Sequence, residues 1–468
     1  MRRQVGATAQ DEWEAGTWIV AVVLVLLAFA PRVYSQASLF DCSFAIGGGA
    51  NGAVYSIVVQ EDGKILVGGA FTEIAGQVHP HLARLHSNGQ LDSSFSGGTD
   101  GPVYRLLRQP DGRILVGGSF SNLQGVARQS IGRLLTNGAV DANFDAGTLP
   151  GSEGSTFALG LQPDGKILVG NLASNGELFR LNLNGQLDSS FVQTNVFRNY
   201  HIFAICPRTN GSILVGGGFQ GVNDFTTAGL ALLGADGRLD TNYSSELQVN
   251  SNPFAIIEQT DGRVMVGGGF WWEGFTNKIV LARLTPELDW DLSFDPDSFD
   301  PSGSVPGFSY VTSMVPQPDG KMVLGGNFYE VGGYWRRGVV RLDSAGHVDP
   351  CFDPGIGLGG FVGPYTLARQ SDGRILVGGE FIGDLTFTNI ARLLPQSECN
   401  AMRVYLRKKD EANYFVAATC PPGGTNLFQV SSNLVNWITK DVKTTPYFAF
   451  EYSFFDAPAV FFRVKKEQ

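Results

Sequence analysis

The sequence predicts an all-β protein: a seven-bladed β-propeller closed by an N-terminal strand, followed by a small β-module. Three observations carry this. A twelve-residue pattern of the form QPDGKILVGGSF recurs seven times. A shorter element, D-x-x-F/Y, recurs in step with it but displaced by one strand. Long apolar helical patterns are missing from the chain after residue 35.

The pattern starts at residues 60, 109, 162, 208, 259, 317 and 370, and its turn positions are 49, 53, 46, 51, 58 and 53 residues apart. A period near ~50 residues is that of a propeller, solenoid or array. Asp-Gly or Asn-Gly between apolar runs is hairpin chemistry, because both residues tolerate φ > 0. Each copy reads as four strands. In the first copy, AVYSIVVQ precedes the turn and KILVGGAF follows it; LARLHS comes next, then a second turn at Asn88-Gly89, then QLDSSF. Four short strands make a propeller blade. The glycine pair of the second strand permits close approach of a neighbouring backbone. The Phe or Tyr of D-x-x-F is expected to pack between blades.

The first D-x-x-F element, LFDCSF at 39–44, has no repeat before it, and the seventh copy stops at NIARLLPQ (389–396) without one. A blade lacking its outer strand exposes unpaired edges. The N-terminal element is therefore expected to complete the last blade, with Phe44 in the place of Phe95.

These units, over about residues 39–396, resemble the delta-60 repeat family, whose copies look like QPDGKILVGGSF…ARL…NGxLDxxF. The resemblance implies a secreted bacterial β-propeller and carries no catalytic residues with it. Copy three departs with VGNLA, copy four has Leu232 where others have Arg, and copy five has TPELDW for the second turn.

Residues 1–35 are expected to be a signal peptide. The apolar run TWIVAVVLVLLAFA (17–30) is too short for a transmembrane helix and suits a leader core, with Val33 and Ser35 placed for cleavage. The propeller then spans 36–396 and the β-module 397–468. FQVSSNLVNWITKD…FFRV in that module resembles a C-terminal module common in exported proteins of Verrucomicrobia-like bacteria. The expected location is secreted, cell-surface or periplasmic, with no membrane span in the mature chain. The net charge of −10 disfavours nucleic acid and anionic membranes. Folding the module's first hairpin about Asp410 sets Cys399 opposite Cys420, a disulfide expected in an exported protein. Cys42, Cys206 and Cys351 are expected to stay reduced.

No catalytic or metal motif stands out, and no cofactor is expected. The repeated aspartates (Asp41, Asp92, Asp141, Asp188, Asp240, Asp291, Asp349) belong to separate blades, so they are expected to make strand-end hydrogen bonds or to pair with Arg84, Arg133, Arg180, Arg283, Arg341 and Arg392 rather than converge. His79 and His81 lack completing ligands. DPDSFDPSG (295–303) is a weak calcium pattern without a closing acid.

Function is expected on the face carrying the long, variable connections. The long insertions there come from copies five and six. Trp271, Trp272, Glu273, Tyr334, Trp335, Arg336 and Arg337 form the candidate ligand site. Its aromatics are suited to stacking on an extracellular glycan or a protein partner, and its arginines to hydrogen bonding. The alternative is a propeller glycosidase or lyase with paired carboxylates, drawn from Glu273, Glu330 and the group Asp295–Asp300.

Overall fold

The computed structural model describes residues 39–41, 43–149, 155–172, 176–192, 196–198, 201–245, 247, 251–270, 279–299, 309–354, 363–382 and 388–395, and the backbone of strands within 19–26 and 403–466. The chain divides into two compact units, Ser38–Ser397 and Met1–Ala37 with Glu398–Gln468. No helix among the described residues is long and apolar enough to cross a membrane.

The larger unit is a succession of seven antiparallel blades. The first pairs Val54–Val59, Ile65–Gly69 and Leu82–Leu85 in that order, and the same order recurs in every copy through Gly363–Arg369, Ile375–Ile382 and Thr388–Leu393. The fourth element contributes a single bridge per blade, as at Leu85–Leu91 and Leu342–Val348. It is held mainly by its side chains. Asp92 turns back on itself, accepting from Ser94 N at 3.0 Å, while Arg84 donates from Nε to Asp92 at 2.8 Å and from Nη1 to Asn137 O of the next blade at 2.6 Å. The same guanidinium lies 5.0 Å over the Phe95 ring. Arg–Asp–Phe sets of this kind recur in six blades. Blade four, with Leu232 in place of Arg, leaves Asp240 and Tyr243 half-exposed.

The N-terminal element lies against blade seven. Phe40 bridges to Leu393, and Asp41 N donates to Arg392 O at 2.8 Å. Phe44 is 5 % exposed, with Arg392 4.6 Å above its ring.

The Asp-Gly hairpins differ from expectation. Only the glycine takes positive φ (Gly63, +81°); Asp62 does not. Gly63 N donates to Gln60 O and Gln60 N to Lys64 O, so the turn is a type I turn followed by a left-handed glycine, with Asp62 accepting from Lys64 N. The glycine pair does meet close neighbours. A Cβ on Gly68 would lie 2.6 Å from Val103 of the next blade, and one on Gly69 would lie 2.1 Å from Ala53 O.

Of the cysteines, Cys206 is free and buried. Cys351 is disulfide-bonded, which corrects the expected free thiol; its outer-blade position did not reveal a partner. Cys42, Cys399 and Cys420 lie outside the described residues.

In the smaller unit, Arg403–Lys408, Asn413–Thr419 and Tyr447–Ser453 form one sheet. Asn426–Ser431, Ile438–Lys443, Ala459–Lys466 and the N-terminal strand Ile19–Leu26 form another.

Candidate ligand-binding mouth

The innermost strand of every blade carries a β-bulge at the same place: the ladder slips between Val54 and Ser56, Val103 and Arg105, Thr156 and Ala158, and likewise through to Pro364 and Thr366. A bulge re-aims the side chain of its extra residue. In six blades that residue is aromatic: Tyr55, Tyr104, Phe157, Phe203, Phe254 and Tyr365. Blade six has Thr312 there, and Tyr310, two residues earlier on the same strand, supplies the ring instead.

Neighbouring rings meet at tilted angles at six of the seven junctions, all but that between Tyr310 and Tyr365. Centroid distances run 5.5 Å (Tyr55–Tyr104), 5.2 Å (Tyr104–Phe157), 5.8 Å (Phe157–Phe203), 4.9 Å (Phe203–Phe254), 5.6 Å (Phe254–Tyr310) and 5.4 Å (Tyr365–Tyr55), with planes tilted by 41–65°. The result is a collar about the propeller axis, roughly 12 Å between opposite centroids for seven rings at that spacing. All seven rings are half-buried. The collar sits at the start of the inner strands. That is the end away from the Asp-Gly turns and on the side of the long connections.

The collar is chemically uneven. Blades three to five contribute Phe157, Phe203 and Phe254, with His201 against Phe203 at 6.2 Å. Blades six, seven, one and two contribute four tyrosines. Burial, the largest cause, pushes all four phenols up; the charge of Glu380 adds to this at Tyr55, Tyr310 and Tyr365, so their hydroxyls stay protonated. Tyr365 Oη donates to Glu380 Oε2 at 3.3 Å. Glu380 is exposed and fills the position between the glycine pair and Phe381, where no other copy has a charged residue. Arg105 follows Tyr104. It is open to water, yet desolvation lowers its guanidinium pKa.

The expected site on copies five and six looks different. Trp271, Trp272 and Glu273 lie outside the described residues. Tyr334 is not on an open loop: Tyr334–Trp335 pairs with Glu330–Val331 as a small hairpin. The Tyr334 ring is half-buried against the cluster of Val331 and Phe328. Arg336 is 1 % exposed, 3.4 Å from Asp353 and 5.0 Å over the Tyr334 ring, so it is turned into the protein. Arg337, half-exposed, lies 5.4 Å over Tyr329. Of the acidic group, Asp297 accepts from Val348 N at 2.7 Å and so ties this crossing to blade six; Asp300 lies outside the described residues. No metal-ligating cluster occurs among the described residues.

The sequence reading missed the collar, although its signal is linear: the aromatic stands seven residues before the turn Asp or Asn in six of seven copies.

Inner strands ringing an axis, second strands packed behind them and one D-x-x-F element per blade define a β-propeller. The chain belongs to the β-propeller family described as a domain of unknown function, DUF5122, whose model matches residues 60–95, 109–144, 162–191, 208–243, 259–294, 317–352 and 370–397, just over half the chain. No curated protein matches it by sequence. Among solved structures it is similar to the extracellular domain of the putative one component system BT4673 from B. thetaiotaomicron (10 % identity, TM-score 0.48, covering 89 % of this chain and 55 % of that one). It is also similar to YCF48 bound to D1 peptide (10 %, 0.41, covering 74 % and 94 %) and to Chaetomium thermophilum Raptor (12 %, 0.40, covering 75 % and 29 %). The chain thus spans about half the length of the first of these.

Proposed function

We propose that this is an exported, non-catalytic binding or scaffold protein whose ligand, an extracellular glycan or a protein partner, seats on the long-connection face. The collar carries the reading. Seven half-buried aromatic side chains, brought together from seven blades and aimed by bulges in six of them, form a wide, stiff surface with few rotatable bonds to freeze on binding. By chain order the connection that carries Trp271 and Trp272 belongs with the long connections, and this reading adds it to the site.

The scaffold in this reading is a seven-bladed ring closed by residues 39–44, supported by the Phe40–Leu393 bridge and the Arg392–Asp41 pair. Residues 1–35 are a leader removed near Ser35–Gln36. Mass spectrometry of the exported protein would then begin at Gln36; a chain starting at Met1 overturns the leader.

The test of the binding role is a screen of the exported protein against glycan and peptide arrays, with product analysis on every hit. A hit that is lost in Phe203→Ala and Tyr104→Ala, with the melting temperature kept, supports binding at the mouth. A hit indifferent to both moves the site elsewhere, and cleaved product revives the polysaccharide-enzyme alternative.

A further inference from the structure

The collar's four tyrosines and Glu380 are concentrated on one side, and that asymmetry points to a ligand chemistry. We infer that the arc formed by Tyr55, Tyr310, Tyr365 and Glu380 is a seat for an organic cation, an alkylammonium or guanidinium group. The inference rests on the mouth being the binding face and names what the mouth selects.

Every group on this arc is electron-rich toward its surroundings. The Tyr55 and Tyr365 rings are 5.4 Å apart and tilted by 55°, so together they form a concave corner. Glu380 lies at that corner, close enough for its charge to act on all three tyrosines. Among the described residues it has no Lys, Arg or His within ion-pair distance. Its protein partner is a hydroxyl, Tyr365 Oη, which takes one carboxylate oxygen and leaves the other open. The aspartates of this propeller that carry D-x-x-F elements are otherwise mostly paired with arginine. An exposed carboxylate left to tyrosines stands apart from them. A cation beside aromatic faces gains about 0.5–2 kcal/mol, more as the site is drier, and a neighbouring carboxylate adds attraction that water screens less inside a half-buried mouth.

Two basic residues near the collar, among those described, limit the seat to this arc. Arg105 on blade two repels a second cation. His201 on blade four sits by Phe203, beyond the apolar side. The cation is therefore directed to blades six, seven and one.

The glycine pattern explains why only this blade has the carboxylate at hand. Second strands return to the mouth just after the Gly-Gly pair, and the next residue is Ala70, Ser119, Gly218, Gly269 or Asn327 in five other blades and, after Gly170-Asn171 in blade three, Leu172. Glu380 exploits a position that the scaffold leaves free.

The experiment is titration calorimetry of the full protein with choline, butylguanidinium and the uncharged choline isostere 3,3-dimethylbutanol. Choline or butylguanidinium should bind at least about tenfold more tightly than the alcohol. Whichever cation is the tighter tells an ammonium ligand from a guanidinium one. Glu380→Gln should weaken the cation by about tenfold, and Tyr365→Ala should do so too, while Tyr365→Phe and Phe254→Ala change it little. Melting curves of each variant confirm folding, and Glu380, being exposed, carries little risk. Equal binding of choline and alcohol, or an unaffected Glu380→Gln, overturns the seat. Failure of these probes with array hits retained at the collar removes only the cation inference. Cation binding without any array hit removes only the glycan or protein partner.

Discussion

Arg392 donates from Nε to Asp41 Oδ2 at 3.0 Å, joining residues 351 positions apart. Both are nearly inaccessible, and the guanidinium also donates to Ser87 O of blade one and covers the Phe44 ring. The same three-residue arrangement serves within blades one, two, three, five and six, where Asp and Phe follow their Arg by 8 and 11 positions. Here the Asp and Phe come from the opposite end of the propeller sequence. Asp41→Asn leaves the turn-forming oxygen but strands the buried guanidinium, and breaking such a pair costs about 3–5 kcal/mol. Phe44→Ala should cost a similar ~3–5 kcal/mol. Asp240→Asn in blade four, where no arginine is present, should shift stability by less than about 0.5 kcal/mol. Urea denaturation of the three variants gives the comparison; an Asp41→Asn as mild as Asp240→Asn would mean that the N-terminal element does not hold the ring.

The same pairs predict the behaviour in acid. At Asp291, burial alone would raise the pKa, but hydrogen bonds from Ser293 and Arg283 bring it down to about 2. Asp41, Asp92, Asp141, Asp188 and Asp349 are lowered for the same reasons. A carboxyl held lower in the folded than in the unfolded state contributes stability above its unfolded pKa of about 3.9 and loses it as pH falls through the folded value. The melting temperature should therefore be flat from neutrality to about pH 5 and fall steeply between about pH 4 and pH 2. Arg283→Met should flatten part of that fall. A melt that declines instead between pH 7 and 5 would assign the acid lability to other groups.

Much of this molecule is legible along the chain because the repeat is local. The turn, the glycine pair, the Arg–Asp pairing and the buried Phe95 all follow from residues within one copy. The collar is not local. Tyr55 reads as one more half-buried strand residue, and only seven strands brought to one axis turn it into part of a surface. Glu380 was hidden in the same way, as a single variable letter between Gly379 and Phe381. Tyr334 and Arg336 show the opposite difficulty. Aromatic and charged letters in an insertion resemble a binding loop, but a two-residue hairpin folds them back onto blade six. The turn type was misread because Asp-Gly alone does not fix whether Asp62 also takes positive φ; the five-residue connection does.

Arg336 gives a sharp contrast with a surface role. Its charge is buried beside Asp353 and against the Tyr334 ring. Arg336→Ala removes the packing and leaves Asp353 without that charge, a loss of about 3–5 kcal/mol, whereas Arg337→Ala, at a half-exposed position, should cost at most about 1 kcal/mol. Thermal melts of the two variants separate them. If Arg336→Ala melts as the parent does and loses a ligand found in the array screen, the side chain belongs to a binding surface after all.

The half-cystine at Cys351 should be joined to Cys42. Cys206 is free, and burial pushes its thiol up to about 11, which makes it a poor nucleophile for exchange. Cys399 and Cys420 fall in the smaller unit, where the hairpin reading pairs them with each other. Cys42 lies between Asp41, which is fixed to Arg392, and Ser43, which donates to Asp41 at 2.5 Å. Leu39 and Phe40, just before it, pack in one cluster with Phe352, the neighbour of Cys351. A bond between the two would tie the N-terminal element to blade six as well as blade seven. It would close a loop of some 300 residues, for which chain entropy alone assigns roughly 6 kcal/mol against the unfolded state. Digestion without reductant should release the Cys42 and Cys351 peptides as one species that separates on reduction, with Cys206 alkylated only after unfolding. Reducing the folded protein should then lower its melting temperature, and Cys42→Ser should reproduce that drop and be insensitive to further reductant. A Cys351 peptide linked to Cys399 or Cys420 would instead connect the propeller to the smaller unit and leave the N-terminal element held by Arg392 and Phe44 alone.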